Sequence, residues 1–178
     1  MLGIQPLHIY KAYAGIGSRQ ISDNESEIIR SISNRMAALG YWLYSGNAQG
    51  ADNAFQKGCQ NKGISFLPWP NYNSDQRDTY GFTSIPESAF FKAKVLHPQG
   101  NRLSGSSLQM MARNVLIIEG IDSWPRVELV ICCSDPIPNG GVHGGAALCY
   151  KLAKQHNIPF INIRENRWEN RLQSLLHR

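Results

Sequence analysis

At 178 residues, with 42% hydrophobic and 10% aromatic content, the chain is long enough for one domain with a substantial core and does not have the composition of a disordered segment. Its apolar runs fall short of the ~20 residues that cross a bilayer, and Met1–His8 lacks the basic start and apolar stretch of a signal peptide, so a cytoplasmic protein without membrane association is expected. The formal charge of +5, from 18 basic and 13 acidic residues, suits an anionic ligand, whether nucleotide, phosphate or nucleic acid, and equally suits an ordinary, slightly basic surface.

In chain order, Tyr10–Ala14 is expected as a first strand. Ser22 or Asp23 then caps a helix, with Glu25 placed for a capping box. That helix carries Ile28, Ile29, Ile32, Met36 and Leu39 on one face and stops at Gly40. Tyr41–Ser45 is the second strand. Ala51, Ala54, Phe55, Gly58 and Cys59 follow at helical spacing and form a narrow face of small residues suited to close packing. Ile64–Leu67 is the third strand. Pro68–Asp75 is a turn-rich loop, and Pro86 interrupts any long helix before it. Ser104–Leu116 is helical, with Leu108, Met111 and Val115 on one side, and Leu129–Cys133 is an apolar strand of the kind buried on both faces. Ala146–Gln155 is a helix, Pro159–Ile163 a strand, and Arg164–Arg178 an amphipathic helix with Trp168, Leu172 and Leu175 inward.

Alternating strands and helices with nearly continuous apolar strands predict an α/β fold: a Rossmann-like three-layer sandwich with a mostly parallel sheet and helices on both faces. One domain over residues 1–178 is expected, because no linker, repeat or low-complexity segment divides the chain. Cys59, Cys132, Cys133 and Cys149 form no C-x-x-C pair and have no matching histidine spacing; they are read as reduced core residues, and no metal site is expected.

Three glycine-containing turns fall where strands should give way to helices, at the edge of a parallel sheet where ligands bind. In the first, Gly15 and Gly17 open space while Ser18 and Arg19 either bind an anion or form an ordinary tight turn with a solvated arginine. It is not a G-x-G-x-x-G turn, and no acidic residue follows the second strand to hold a ribose in the dinucleotide manner, which disfavours a dinucleotide site. In the second, Ser45, Gly46, Asn47, Ala48 and Gly50 lead into a helix whose first turn holds Asp52. Small residues there let the backbone approach a phosphate. Asp52 either caps the helix or meets a ribose hydroxyl, a base or a proton. The third turn carries Gly140, Gly141, Gly144 and Gly145, with His143 either at the surface or donating to an anion. Arg113 and Asn114 sit among apolar neighbours late in a helix, where Arg113 is either a solvated helix-end cation or a ligand group. Trp69, Asn71 and Tyr72 form a wall for stacking a base, or a loop packed on its own domain.

At Gly17–Arg19, Ser45–Asp52 and Gly140–Gly145 the chain resembles the Rossmann-like domain of the DNA-processing protein A family, within the SLOG superfamily. That superfamily includes the "lonely guy" phosphoribohydrolases and the molybdenum-cofactor carrier proteins. The Ser-Gly-x-Ala-x-Gly-x-Asp pattern over Ser45–Asp52 carries most of the likeness, and Leu67–Pro70 resembles the small members found in phages and bacteria. The resemblance spans residues 10–163. It implies a nucleotide or nucleotide-derived ligand over the three turns and no bound cofactor. In the phosphoribohydrolases an arginine on a helix, which Arg113 resembles, acts with a glutamate after a glycine turn. Here Gly145-Ala-Ala-Leu-Cys149 contains no glutamate, which leaves Arg113 and Asp52 as the catalytic candidates. Three readings stand: a homo-oligomeric protein that binds and sequesters a nucleotide-type ligand, a nucleotide N-glycosidase, and a single-stranded DNA binding protein. The first is favoured. Arg164, Arg167 and Arg171 make only a short basic stripe, too little for strong phosphate-driven binding to DNA.

Overall fold

A computed structural model describes residues 9, 11–138 and 140–177. Six strands form one all-parallel sheet in the order β4-β3-β2-β1-β5-β6. The strands are β1 (Ala12–Gly17), β2 (Trp42–Ser45), β3 (Gly63–Phe66), β4 (Tyr80–Phe82), β5 (Leu129–Cys133) and β6 (Phe160–Asn162). The helices are α1 (Asp23–Ala38), α2 (Ala51–Gly58), α3 (Glu87–Leu96), α4 (Gly105–Glu119), α5 (Ala146–Gln155) and α6 (Trp168–Leu176). No helix among the described residues is long and apolar enough to cross a membrane.

Side chains alternate across the sheet into two cores. Tyr13, Leu43, Ile131 and Ile161 face the layer of α1, α2 and α6, while Ala14, Tyr44, Phe66 and Val130 face α3, α4 and α5. Neighbouring Cys132 and Cys133 point into opposite cores, and all four cysteines are buried and free. On α1 the expected face is buried at Ile29, Ile32 and Met36. Leu39 is 42% exposed because it is already the C-cap, ahead of Gly40 at φ +83°. The small residues of α2 serve its approach to α1: a Cβ on Gly58 would meet the Arg30 carbonyl and stand 2.8 Å from Ser33 Cβ. Ser33 Oγ fastens the same junction by donating to Phe55 O at 2.6 Å and pairing with the Tyr13 hydroxyl at 2.8 Å.

Several boundaries differ from the sequence reading. Tyr10 and Arg178 lie outside the described residues. Gly15 and Gly17 are in β1, paired in register with Ile131 and Cys133, because both are narrow enough to let neighbouring elements close on the strand. The irregular middle contains β4 and α3, which the sequence reading left out. Tyr80–Phe82 is too short to show a period, and the apolar residues of α3 do not gather on one face. The last helix begins at Trp168, after Arg167 at φ +61° has broken the chain direction.

The strand order places the topological switch between β1 and β5, where the chain leaves the β4 edge and returns on the other side of β1. A crevice opens beyond the strand ends at such a point.

Candidate functional site

The crevice holds a cavity of about 370 Å³ lined by β1, the turns after β1, β2 and β5, the buried flank of α4 and the start of α5. Gly17, Ser18, Arg19, Ala48, Asp52, Arg113, Asn114, His143, Gly144 and Gly145 all line it. Ile16, Met111, Ile117, Ser134, Asp135, Ala146 and Cys149 line it too, and the sequence reading did not single them out. Ser134 and Asp135 follow directly on β5, so the rule that parallel strands present ligand groups at their C-terminal ends could have found them.

The first two turns are built against each other. Ser18 N donates to Cys133 O at 2.7 Å, and Ala51 N donates to Ser18 O at 3.0 Å. Gly50 sits at the crossing with φ +79° and ψ −120°, a region open essentially to glycine, and a Cβ there would strike Ser18 O and lie 2.6 Å from Arg19 O. Asp52 turns its carboxylate back onto the second turn, where Oδ2 accepts from Gly46 N at 3.1 Å and from Ala48 N at 3.2 Å. Burial pushes this carboxyl upward, against the Arg113 charge and the backbone N–H groups that favour the ionised form.

Arg113 enters from α4. It is 4% exposed, and its Nη1 donates to the carbonyls of Gly46 and of Phe66, the latter at 3.1 Å, so the guanidinium closes over the ends of β2 and β3. Gly46 must be glycine for this, since any Cβ would occupy the guanidinium's position. Arg113 Nε is buried without a hydrogen-bond partner among the described residues. Burial pushes the guanidinium pKa down while the Asp52 charge opposes that shift, and no ion pair joins the two side chains within 4 Å.

Several residues expected at the ligand do not line the cavity and make contacts within the fold. Gly15 faces Phe55 and Leu43, each closer than 3 Å to a would-be Cβ, and does not reach the cavity. Ser45 Oγ donates to Gly15 O at 2.7 Å and ties β2 to β1. Asn47, at φ +58° and 1% exposed, donates to Tyr72 O at 2.8 Å and Asn73 O at 3.0 Å and accepts from Gln56, so it anchors the Pro68–Asp75 loop. Trp69 packs edge-on against Tyr72, with ring centroids 5.2 Å apart. The Tyr72 ring in turn lies 5.7 Å from the Arg113 guanidinium carbon. This aromatic pair backs Arg113 and does not form the cavity wall, because Asn47 pulls the loop onto α2. Gly140 and Gly141 form the tip of a turn closed by Ile137 N to Gly141 O at 3.2 Å and do not line the cavity.

The remaining third turn is open. A Cβ on Gly144 would meet nothing within 4 Å, and Gly145 leads into α5 with no side-chain cap and no acidic residue in the first helical turn. Ala147 N donates to Gly144 O at 3.1 Å, and the other N–H groups of this helix start, with the helix dipole, favour an anion. His143 is exposed and held through its backbone by Asp135 and Ser134. Asn114 Nδ2 fixes the turn to α4 by donating to Gly145 O at 3.1 Å. Burial pushes the Cys149 thiol up to about 12, so this sulfur carries its proton at neutral pH.

The outer wall is braced by Arg164, whose Nε donates to Glu25 Oε1 at 2.7 Å and whose Nη1 donates to Asp135 Oδ1 at 2.8 Å. Glu25 also accepts from Ser22 N at 2.7 Å, which completes the capping box of α1. The Arg164 hydrogen bond holds the Glu25 carboxyl down to about 2. Because the folded value lies below the unfolded one, this stabilisation is full above pH ~4.5 and is lost as the pH falls towards 2. Glu25→Gln is therefore expected to remove about 1 kcal/mol of stability at neutral pH, after solvent screening, and little at pH 2–3. Urea titrations at both pH values check this, and equal losses at the two would contradict it.

A parallel sheet covered on both faces, with a cavity at its switch point, defines a Rossmann-like α/β protein. Among solved structures, the fold is shared with DNA processing protein A from Helicobacter pylori, which binds single-stranded DNA (TM-score 0.56, 19% identity, 92% of this chain and 72% of that one). It is shared with the protein TM1055 (TM-score 0.57, 14% identity, 86% and 74%). It is also shared with the molybdenum cofactor carrier protein from Chlamydomonas reinhardtii (TM-score 0.50, 16% identity, 93% and 84%). These folds match the resemblance drawn from the three turns, and at these identities they establish architecture, not activity. No protein-family model matches the sequence, and no curated protein does.

Proposed function

We propose that the protein binds a nucleotide or nucleotide-derived small molecule in the cavity at the strand ends, with its anionic group on the start of α5. One observation carries this reading: Arg113, buried with an unpartnered Nε, lines the same cavity as the uncapped α5 N-terminus and the open Gly144–Gly145 backbone. A buried cation with an unmet donor beside free helix N–H groups is the chemistry of an anion site. Arg19, exposed at the rim, adds a second cation. The DNA-binding and cofactor-carrying neighbours of the same fold are compatible with a ligand of this class.

The N-glycosidase reading has less support. The first turn of α5, Ala146-Ala-Leu-Cys149, offers no carboxylate, and the Asp52 carboxylate is already engaged with two backbone N–H groups. The DNA reading weakens for a similar reason. Arg164 is committed to Glu25 and Asp135, and Arg171 to Glu165 at 2.8 Å, which leaves little free charge in the basic stripe. A thermal-shift panel of nucleotides separates binding from its absence. At least one nucleotide is expected to raise Tm, and Arg19→Ala is expected to abolish that shift without lowering the unliganded Tm. Free base released from nucleoside monophosphates would move the assignment to the enzyme reading.

The binding unit is a homo-oligomer in this reading. Phe91 and Val95, 69% and 65% exposed, lie one turn apart on α3, with exposed Glu87 one turn before Phe91 and exposed Lys94 just before Val95. Antiparallel pairing of two copies about Phe91 would bury both apolar residues and face Glu87 with Lys94. Phe91→Asp is expected to yield monomers in sedimentation analysis. Unchanged mass for the variant, or a monomeric wild type, would refute this interface.

A further inference from the structure

Two carboxylates line the cavity among the described residues, and they differ in what they have left to offer. Asp52 is spent on the backbone of the second turn. Asp135 stands at the mouth, where Oδ1 accepts from Arg164 Nη1 at 2.8 Å and Oδ2 has no partner among the described residues. The side chain is set from outside the cavity. Arg164 is itself fixed by Glu25 through Nε at 2.7 Å and Nη2 at 3.2 Å, and by Gln20 O at 3.0 Å. The main chain is set as well, because Asp135 O accepts from His143 N at 3.0 Å, next to the open glycines.

A carboxylate held beside an anion-accepting helix start imposes a division on any ligand. The phosphate goes to α5 and Arg19, and like-charge repulsion keeps it away from Asp135. The part of the ligand facing Asp135 must be uncharged and carry a hydrogen-bond donor, because a half-paired carboxylate offers only acceptor capacity. In a nucleotide, the groups of that kind one step from the phosphate are the sugar hydroxyls. We propose that Asp135, positioned by Arg164, accepts a hydrogen bond from a ribose hydroxyl and so selects ribonucleotides over deoxyribonucleotides. This rests on the nucleotide reading above and assigns Asp135 and Arg164 a role in specificity. Arg164 acts through Asp135 as a positioning residue.

The experiment is calorimetric titration of purine nucleoside 5′-monophosphates and their 2′-deoxy and 3′-deoxy counterparts into the wild type, Asp135→Ala, Arg164→Ala and Arg164→Lys. The wild type is expected to prefer at least one ribo form by roughly 3- to 10-fold over a deoxy form, because water can replace the missing hydroxyl at the largely exposed Asp135 carboxylate and so moderates the loss. Asp135→Ala should shrink that ratio to within about 2-fold by weakening ribo binding alone. Arg164→Ala should reduce the ratio, and Arg164→Lys should partly restore it. Because the readout is a ratio within one variant, general destabilisation does not move it. Equal ribo and deoxy affinities in the wild type overturn the proposal while leaving nucleotide binding intact, as does a preference that survives Asp135→Ala. If Asp135→Ala weakens ribo and deoxy forms equally, the donor is an amino group on the base and the sugar assignment fails. Failure of every nucleotide to bind overturns the underlying reading as well.

Discussion

Arg113→Ala is expected to destabilise the protein by about 3 kcal/mol, the cost of leaving buried polar groups without their charged partner. In a domain of this size that is a fall in Tm of roughly 6–12 °C. The guanidinium bridges the carbonyls of Gly46 and Phe66 at the ends of adjacent strands, and with it gone both face a void that the Cβ-less Gly46 cannot fill. The Tyr72 ring loses its cation in the same step, so the Pro68–Asp75 loop should loosen. Ligand affinity should vanish with stability in this variant. Arg113→Lys should fall between, since an ammonium keeps the charge but not the planar fork that reaches two carbonyls. Thermal melts followed by circular dichroism test this, and a shift of less than about 2 °C for Arg113→Ala would mean the bridge contributes little.

The second large effect is a contrast between two glycines of positive φ. Gly50→Ala combines a backbone conformation closed to L-residues with a clash against Ser18 and Arg19, and Ser18 cannot move without breaking its bonds to Cys133 and Ala51. A loss of at least about 3 kcal/mol is expected. Gly144→Ala has φ +75° and open space around its would-be Cβ, so its cost should be about 1 kcal/mol from the backbone alone. Its effect on ligand binding should be the larger one, because Gly144 lines the cavity proposed to take the anion. Chemical denaturation of both variants decides the matter. Equal losses would mean that the turn crossing at Gly50 is not tightly built.

The layered architecture was legible because its signals are local. The apolar run Leu129–Cys133, the Ser22–Glu25 capping box and the Gly40 stop each appear where the structure has them. β4 and α3 were not legible. β4 is three residues long, and α3 spreads Ala89, Phe90, Phe91 and Val95 around its circumference. Within the site, the turns were readable as turns but the direction of their side chains was not. Asn47 and Trp69 carry polar and aromatic groups that suit a ligand, yet tertiary contacts with Gln56 and Tyr72 claim them. Gly15 resembles a phosphate-turn glycine, and its need for space comes from Phe55, forty residues away in sequence. Asp135 escaped notice because its bracing partners, Arg164 and Glu25, are distant in the chain and meet only when β5 and β6 lie side by side.

The central claim is that the cavity at the β1/β5 switch point is an anion site for a nucleotide-type ligand. Isothermal titration of a panel of nucleoside phosphates into the wild type and Arg19→Ala tests it most directly. The account predicts saturable binding of at least one member at one site per chain, lost or strongly weakened in the variant while its melting temperature stays unchanged. No saturable binding by any member, or binding that Arg19→Ala leaves untouched, would contradict it.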